Sequence, residues 1–272
     1  MNKIFYLVIL LSVSLCGWAQ EINNYKVEVG QFDRVKVCDN VNVVYRCLPD
    51  SSGFIQYRGD KQFADAFIIT PKNGNLKIQV STEDVGHPDL PTLYIYSDFL
   101  TGVENASNFN FTVENPAACA EFKVTQVGNG SVRVENVKAN KVIAGVATGN
   151  GSVNVSGTCK EAVLKMVGTG TISADRLEAD AVQCKILGSG SIGCWPLQKL
   201  NVRGIGSTKV YYKGDPQVKK SGGGKLYPLP EGRTSGSYME GNDSTKEESA
   251  SQSEDDEDDG EDDDDDDDDD DE

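Results

Sequence analysis

Histidine is nearly missing from this 272-residue sequence, with His87 the only one. No two of the seven cysteines stand in the C-x-x-C spacing of a structural zinc site. Metal chemistry therefore has little to draw on, and no motif pairs a serine with His87 for nucleophilic catalysis. Beyond the first fifteen residues there is also no apolar run long enough to cross a membrane as a helix. Positive charge is short as well: 26 Lys and Arg face 43 Asp and Glu, a net charge of -17. Eighteen of those acids fall between 254 and 272, where Gly260 is the only other residue. The remainder is close to neutral and shows no basic stripe, which sets nucleic acid aside as a partner.

What is present begins with an export signature. Lys3 precedes the apolar run Ile4 to Leu15, and Gly17-Trp18-Ala19 supplies small residues for cleavage after Ala19. A signal peptide over 1–19 is expected, with a mature chain in the periplasm, on the outer-membrane surface or secreted. Cys16 offers a second route, cleavage before it and acylation on it, but Leu15 is larger than the residue usual at that place. If Cys16 leaves with the signal, Cys38, Cys47, Cys119, Cys159, Cys184 and Cys194 remain. An even number in an exported chain suits one or two disulfides, of open pairing, with other cysteines buried as small apolar residues.

From Tyr25 to Tyr96 the apolar residues alternate in short runs, as in Val41, Val43 and Tyr45 or Leu76, Ile78 and Val80. Asn73-Gly74 predicts a tight hairpin, since both residues accept positive φ. Lys61 to Ala66 could form one helical turn. Residues 20–100 thus read as a β-rich half.

Glycine then becomes periodic. Gly128-Asn129-Gly130, Gly149-Asn150-Gly151, Gly168-Thr169-Gly170, Gly188-Ser189-Gly190 and Gly204-Ile205-Gly206 recur, followed by Gly222-Gly223-Gly224. First glycines lie 21, 19, 20, 16 and 18 residues apart. Such a period indicates stacked units that bury their apolar faces against one another. Counted back from each first glycine, the expected inward residues are Phe122, Val124 and Gln126; Ile143, Gly145 and Ala147; Ala162, Leu164 and Met166; Val182, Cys184 and Ile186; and Leu200 with Val202. Val132 and Val134, Val153 and Val155, Ile172 and Ala174, Ile192 and Cys194, and Thr208 with Val210 follow the turns. Ser131, Ser152, Thr171, Ser191 and Ser207 would form a column. The expectation for 101–227 is a parallel β-helix or similar solenoid of about six coils, with Asn105-Ala106-Ser107 a degenerate first turn.

These repeats, with Val210-Tyr211-Tyr212-Lys213-Gly214-Asp215-Pro216 closing them and Phe32-Asp33-Arg34-Val35-Lys36-Val37 opening the chain, resemble the putative auto-transporter adhesin head GIN domain family. The resemblance covers roughly residues 29–227. It implies an exported β-solenoid-like domain without established activity, with adhesion suggested by the family name. Members often carry Asp after the turn, where this chain has Val132, Val153, Ile172, Ile192 and Thr208, so a role built on those aspartates does not transfer.

Candidate sites are few. Gly188 to Gly193 spells G-x-G-x-x-G, but Trp195-Pro196 follows where a dinucleotide site needs a helix, so the glycines read as structural corners. His87 with Glu83, Asp84 and Asp89 is either a metal or proton-transfer cluster or an exposed loop. Asp175, Arg176, Glu178 and Asp180 form a charged corner of the kind polysaccharide lyases use, which keeps a carbohydrate-active enzyme as the alternative reading. Trp195, Tyr211 and Tyr212 offer aromatic surface for a sugar or protein, or else pack the solenoid edge. After Leu226 the composition turns to Pro, Gly, Ser and then acid, so 228–272 is expected to be a disordered linker and tail. That tail could space, condense divalent cations or dock on a basic partner. Asp243-Ser244-Thr245 resembles an O-glycosylation motif at Ser244. The whole reads as a non-enzymatic envelope module that binds an unknown glycan or surface protein, needing no cofactor; a scaffold that recognises its partner through the tail is a further alternative.

Overall fold

The computed structural model describes residues 22–50, 53–230 and 232–236. The expected signal peptide, Cys16, Ser244 and the polyacidic run lie outside the described residues. Within them the first seven strands are β1 (Ile22–Glu28), β2 (Arg34–Val37), β3 (Val43–Cys47), β4 (Phe54–Asp60), β5 (Phe67–Lys72), β6 (Asn75–Val80) and β7 (Leu93–Ser97). β8 (Gly102–Asn105), β9 (Asn110–Glu114) and β10 (Cys119–Val127) lead into four long strands. These are β11 (Ser131–Thr148), β12 (Ser152–Met166), β13 (Thr171–Ile186) and β14 (Ser191–Gly204). β15 (Lys209–Tyr212), β16 (Gln217–Gly222) and β17 (Lys225–Pro228) finish the series. The all-β expectation holds; one 3₁₀ turn at Lys61–Phe63 stands where a helical turn was expected.

The strands build two ladders. The first runs β6–β2–β8–β10–β11–β12–β13–β14–β16, parallel throughout. The second runs β7–β3–β9–β11–β12–β13–β14–β15–β17, again parallel. Each of β11 to β14 begins on the second ladder, bends at a register break, and continues on the first. Between them the glycine turns return the chain from first ladder to second. The result is a β-solenoid, and the six rungs after Gly102–Asn105 are the glycine-turn coils. Apolar side chains alternate inward on both ladders because a strand shows opposite faces at successive residues. Leu76, Val35, Val103, Val124, Ala144, Leu164, Cys184 and Val202 form one buried column.

The ladders continue without a seam across residue 100, and one core serves both halves. β2 and β3, although earlier in sequence than either pair, lie between the rungs formed by β6/β7 and β8/β9. The far end is closed by antiparallel strands: β5 pairs with β6 through Asn73 (φ 49) and Gly74 (φ 75), and β1 and β4 extend the second ladder from β7. This cap gives the exposed solenoid end a partner for its backbone.

Two registers differ from the sequence reading. In the second coil the inward residues are Val142, Ala144 and Val146, paired with Phe122, Val124 and Gln126, while Gly145 faces out beside Lys165. A bulge between Gln126 and Val127 takes up one residue, so counting back from Gly149 lands on the wrong face. In the last coil Gly206, not Gly204, lies over Gly188, and Gly204 pairs with Ile186. Lys209 then pairs with Ser191, and Thr208 is buried with its hydroxyl donating to the Gly188 carbonyl at 2.8 Å. Ser207 therefore drops out of the hydroxyl column. Leu187 and Ile205 occupy equivalent exposed corners.

Asn105 and Gln126 are the polar members of an inward column. The Asn105 amide donates to Gln126 Oε1 at 2.9 Å and to the Phe109 carbonyl at 2.9 Å, while Ser107 Oγ donates to Asn105 Oδ1 at 2.8 Å. Gln126 Nε2 donates to the Ser107 carbonyl at 3.0 Å. Every amide atom is satisfied, and the network holds the early turn at Ala106–Ser107 in place of a glycine.

Candidate functional site

One outer column of the second ladder runs Thr112, Arg133, Asn154, Ser173, Gly193, Tyr211 and Tyr227, each on the rung next to the last. Arg133, Asn154 and Ser173 floor a groove of about 470 Å³. Its side wall is the bend between ladders, with Glu135, Asn136, Ser156, Asp175 and Arg176. The bend forms because the register shifts there, and Asn136 takes φ 56, a conformation asparagine tolerates better than most residues.

The groove ends against the chain itself. After β17 the Leu229 amide donates to the Tyr212 carbonyl at 2.8 Å, Leu229 is buried, and the chain turns back over the second ladder to residue 236. Leu229 and Ser235, both buried, thus pack on the solenoid beyond the boundary at 227 expected from composition. Thr234, Ser235 and Gly236 close the groove. Ser235 N–H donates to Asp175 Oδ2 at 2.7 Å, and Lys213 Nζ donates to the Asp175 carbonyl at 2.7 Å. Asp175 is 4% exposed and Ser235 1%. The Ser235 side chain lies directly over Gly193, where a Cβ would collide with it. Among the described residues Ser235 Oγ has no hydrogen-bond partner.

A polar floor, two guanidinium groups, two carboxylates and several hydroxyls make a surface of mixed donors and acceptors. Such a lining recognises a polyhydroxylated or peptide-like ligand, one that offers both kinds of group. A larger cleft of about 820 Å³ on the first ladder pairs four of its charged groups with one another, Lys36 with Glu104 at 2.7 Å and Arg34 with Asp33 at 3.6 Å.

Of the sequence candidates, Asp175 and Arg176 reach the groove, whereas Glu178 and Asp180 lie beyond the bend on the first ladder. Tyr211 is 4% exposed and stacked on Tyr227 at 5.3 Å, so it packs the edge and offers no free face. Tyr212 is half-buried against the core, and Trp195 has Lys213 Nζ 5.2 Å from its ring. Gly128, Gly130, Gly149, Gly151, Gly168, Gly170, Gly188 and Gly190 are turn residues; a Cβ on Gly170 would collide with the Gly151 carbonyl one rung away. His87 packs edge-on to Phe63 at 5.0 Å and accepts the Asp89 N–H at 3.2 Å. No cluster of three or more metal-ligating side chains occurs among the described residues.

The six cysteines among the described residues are free, with no disulfide between them. Cys119 and Cys159 share a column with Ala139 between them, about 9.6 Å apart at two strand spacings, too far for a disulfide. Cys184 and Cys194 meet across the core, and their mutual hydrogen bond and burial push the Cys194 thiol well up. Burial, then Asp180 and Glu161, raises Cys159 to about 12. Burial likewise raises Cys38 and Cys119.

The sequence reading missed the groove floor. Arg133, Asn154 and Ser173 each stand three residues after the second glycine of a turn, so the repeats carried the signal. Ser235 had none, lying in a segment of linker-like composition.

A family model described as "Putative auto-transporter adhesin, head GIN domain" matches residues 31–216. Among solved structures, a putative adhesin from Bacteroides fragilis NCTC 9343 is similar at 21% identity and a TM-score of 0.69, covering 78% of this chain and 98% of that one. A putative adhesin from Parabacteroides distasonis ATCC 8503 is similar at 21% identity and a TM-score of 0.63, with the same coverage. A putative lipid binding protein from the same strain gives 19% identity and a TM-score of 0.61, covering 77% and 97%. No curated protein matches the chain. No helix among the described residues is long and apolar enough to cross a membrane.

Proposed function

The chain belongs to the putative auto-transporter adhesin, head GIN domain family, and on that premise we propose that it is an exported, non-enzymatic binding module of the cell envelope. The ligand is a glycan held in the groove over Arg133, Asn154 and Ser173. The observation that carries this reading is the mixed donor and acceptor lining of one groove, where Arg133, Asn154 and Ser173 on successive rungs face Glu135, Ser156 and Arg176. Sugar hydroxyls both donate and accept, as this lining does, and the solenoid fixes the spacing of its groups before the ligand arrives. The names of the similar structures, adhesins for the most part, agree with a surface-binding role.

Glycan-array binding by the full chain tests it. Binding should appear without cleavage of the glycan and fall roughly tenfold in Arg133→Ala and in Asn154→Ala, the loss of about one charged or neutral hydrogen-bond set. The absence of any array signal, or equal signals in all three proteins, would remove the groove from the function. Arg133, Glu135, Asp175 and Arg176 together keep a carbohydrate-cleaving enzyme as the second reading, and shortened glycan products would establish it.

A further inference from the structure

The near-neutral charge of the body hides a polarity along the solenoid. Between 181 and 230 there are eight Lys or Arg and a single acid, Asp215. On the outer face of the first ladder Lys165 pairs with Lys185, and Lys185 with Arg203. All three are exposed, on successive rungs about 4.8 Å apart. Like charges facing one another across strands are unfavourable. The ion pairs found among the described residues join Lys26, Arg34, Lys36, Arg46 and Lys141 to acids, and none reaches this row. Arg203 Nε donates only to its strand neighbour Asn201, at 3.1 Å. Exposed Lys219 on the terminal strand β16 pairs with outward Asn201 and continues the positive surface, whereas Lys220, also exposed, pairs with buried Val202.

Lysines on an edge strand discourage unwanted strand addition, which accounts for Lys219 and Lys220. Lys165 and Lys185 sit on internal rungs, where no edge needs guarding. Their column calls for an anionic partner with closely repeated charges.

We propose that this basic row is a polyanion-binding surface whose resident occupant is the chain's own acidic segment, residues 254–272. Three observations carry it. Eighteen carboxylates in nineteen residues match a row with cations on three successive rungs. The last described residue, Gly236, lies on the solenoid body, and the seventeen residues 237–253 can span up to about 58 Å, longer than the stack of nine rungs. Tethering raises the local concentration of the segment to roughly millimolar, so even weak attraction populates the docked state. The glycan groove is a poorer host because Glu135 and Asp175 offset Arg133 and Arg176. Docking makes the tail a mask, and an external polyanion must displace it to reach the row. This inference is independent of the glycan reading.

Zero-length carbodiimide cross-linking of the full chain, with peptide mapping of the monomer fraction, tests it. At low ionic strength carboxylates of 254–272 should join Lys165, Lys185, Lys199 and Lys219. The yield should fall roughly tenfold at 1 M salt, where screening acts within about 3 Å. The triple variant K165E/K185E/R203E should lose most of the links to Lys199 and Lys219, whose amines it retains; should it not fold, K165Q/K185Q/R203Q repeats the test without reversed charge. Links spread evenly over Lys26, Lys72, Lys77 and Lys123, links only between two chains, or a yield insensitive to salt would overturn the proposal.

Discussion

Ser235 rests on the bare Cα of Gly193 while its backbone N–H is held by the buried carboxylate of Asp175. The contact joins residues from the fourth glycine coil and from the chain beyond the last strand, and it sets where the groove ends. Arg233 lies two residues before it, with its own N–H bonded to the Pro230 carbonyl at 3.2 Å. Asp175→Ala should release this segment. Limited trypsin digestion should then cut after Arg233 about tenfold faster than in the parent, since a hydrogen bond to a charged group is worth about 1.5–3 kcal/mol. Equal rates would mean that Leu229 alone secures the segment.

Gly170 tests the glycine corner. Its Cβ would fall on the Gly151 carbonyl, a backbone atom that can move only if the rung moves. Gly170→Ala should cost about 2–4 kcal/mol in chemical denaturation. Gly236→Ala meets nothing within 4 Å and should be neutral. A Gly170→Ala protein as stable as its parent would show that the turns have slack.

The buried amide pair gives a third test. Removing Asn105 leaves Gln126 Oε1 and Asn105's other partners without their bonds inside the core. Asn105→Ala should therefore destabilise by about 1–3 kcal/mol. A double variant that replaces both amides by apolar residues should recover part of that loss, because an unmade buried bond costs more than one never needed. Thermal melts of the two proteins decide it.

Much of this architecture was readable because a strand alternates faces and a solenoid repeats them. Val132, Val153, Ile172 and Ile192 fell on one column as expected. The readings failed where one residue breaks the count. The bulge after Gln126 shifts Gly145 outward, and Gly204 imitates a corner that Gly206 occupies. The placement of β2 between β6 and β8 has no local signal, because it depends on which strand edges meet after the hairpin has formed. The groove floor was written in the repeats as a polar residue at a fixed offset. Its closure by Ser235 was not, since one buried serine among Pro, Gly and Thr does not change a segment's composition.

The response to alkali follows from two groups whose acidity the fold suppresses. Burial, reinforced by Tyr25 and Asp65, raises Tyr57 from 10.0 to about 12, and its hydroxyl donates to the Ala64 carbonyl at 2.9 Å. Cys159 rises from 9.0 to about 12, mainly by burial. Each is a neutral acid that the native state holds protonated longer than the unfolded chain does. In the window between the two values the native state binds more protons, so stability must fall as pH rises. The contribution is intact below pH 9, declines as the unfolded thiol and then the unfolded phenol ionise, and is gone above about pH 12. Denaturant midpoints should therefore hold level from pH 7 to 9 and drop between 9 and 12. Tyr57→Phe combined with Cys159→Ala should start less stable, because the first loses a hydrogen bond and the second leaves a small void. The same double variant should show a shallower decline across that window. A decline of unchanged slope would place the alkaline sensitivity in other groups, foremost Tyr45, which burial holds neutral, and Cys194, held neutral by its hydrogen bond with Cys184 and by burial.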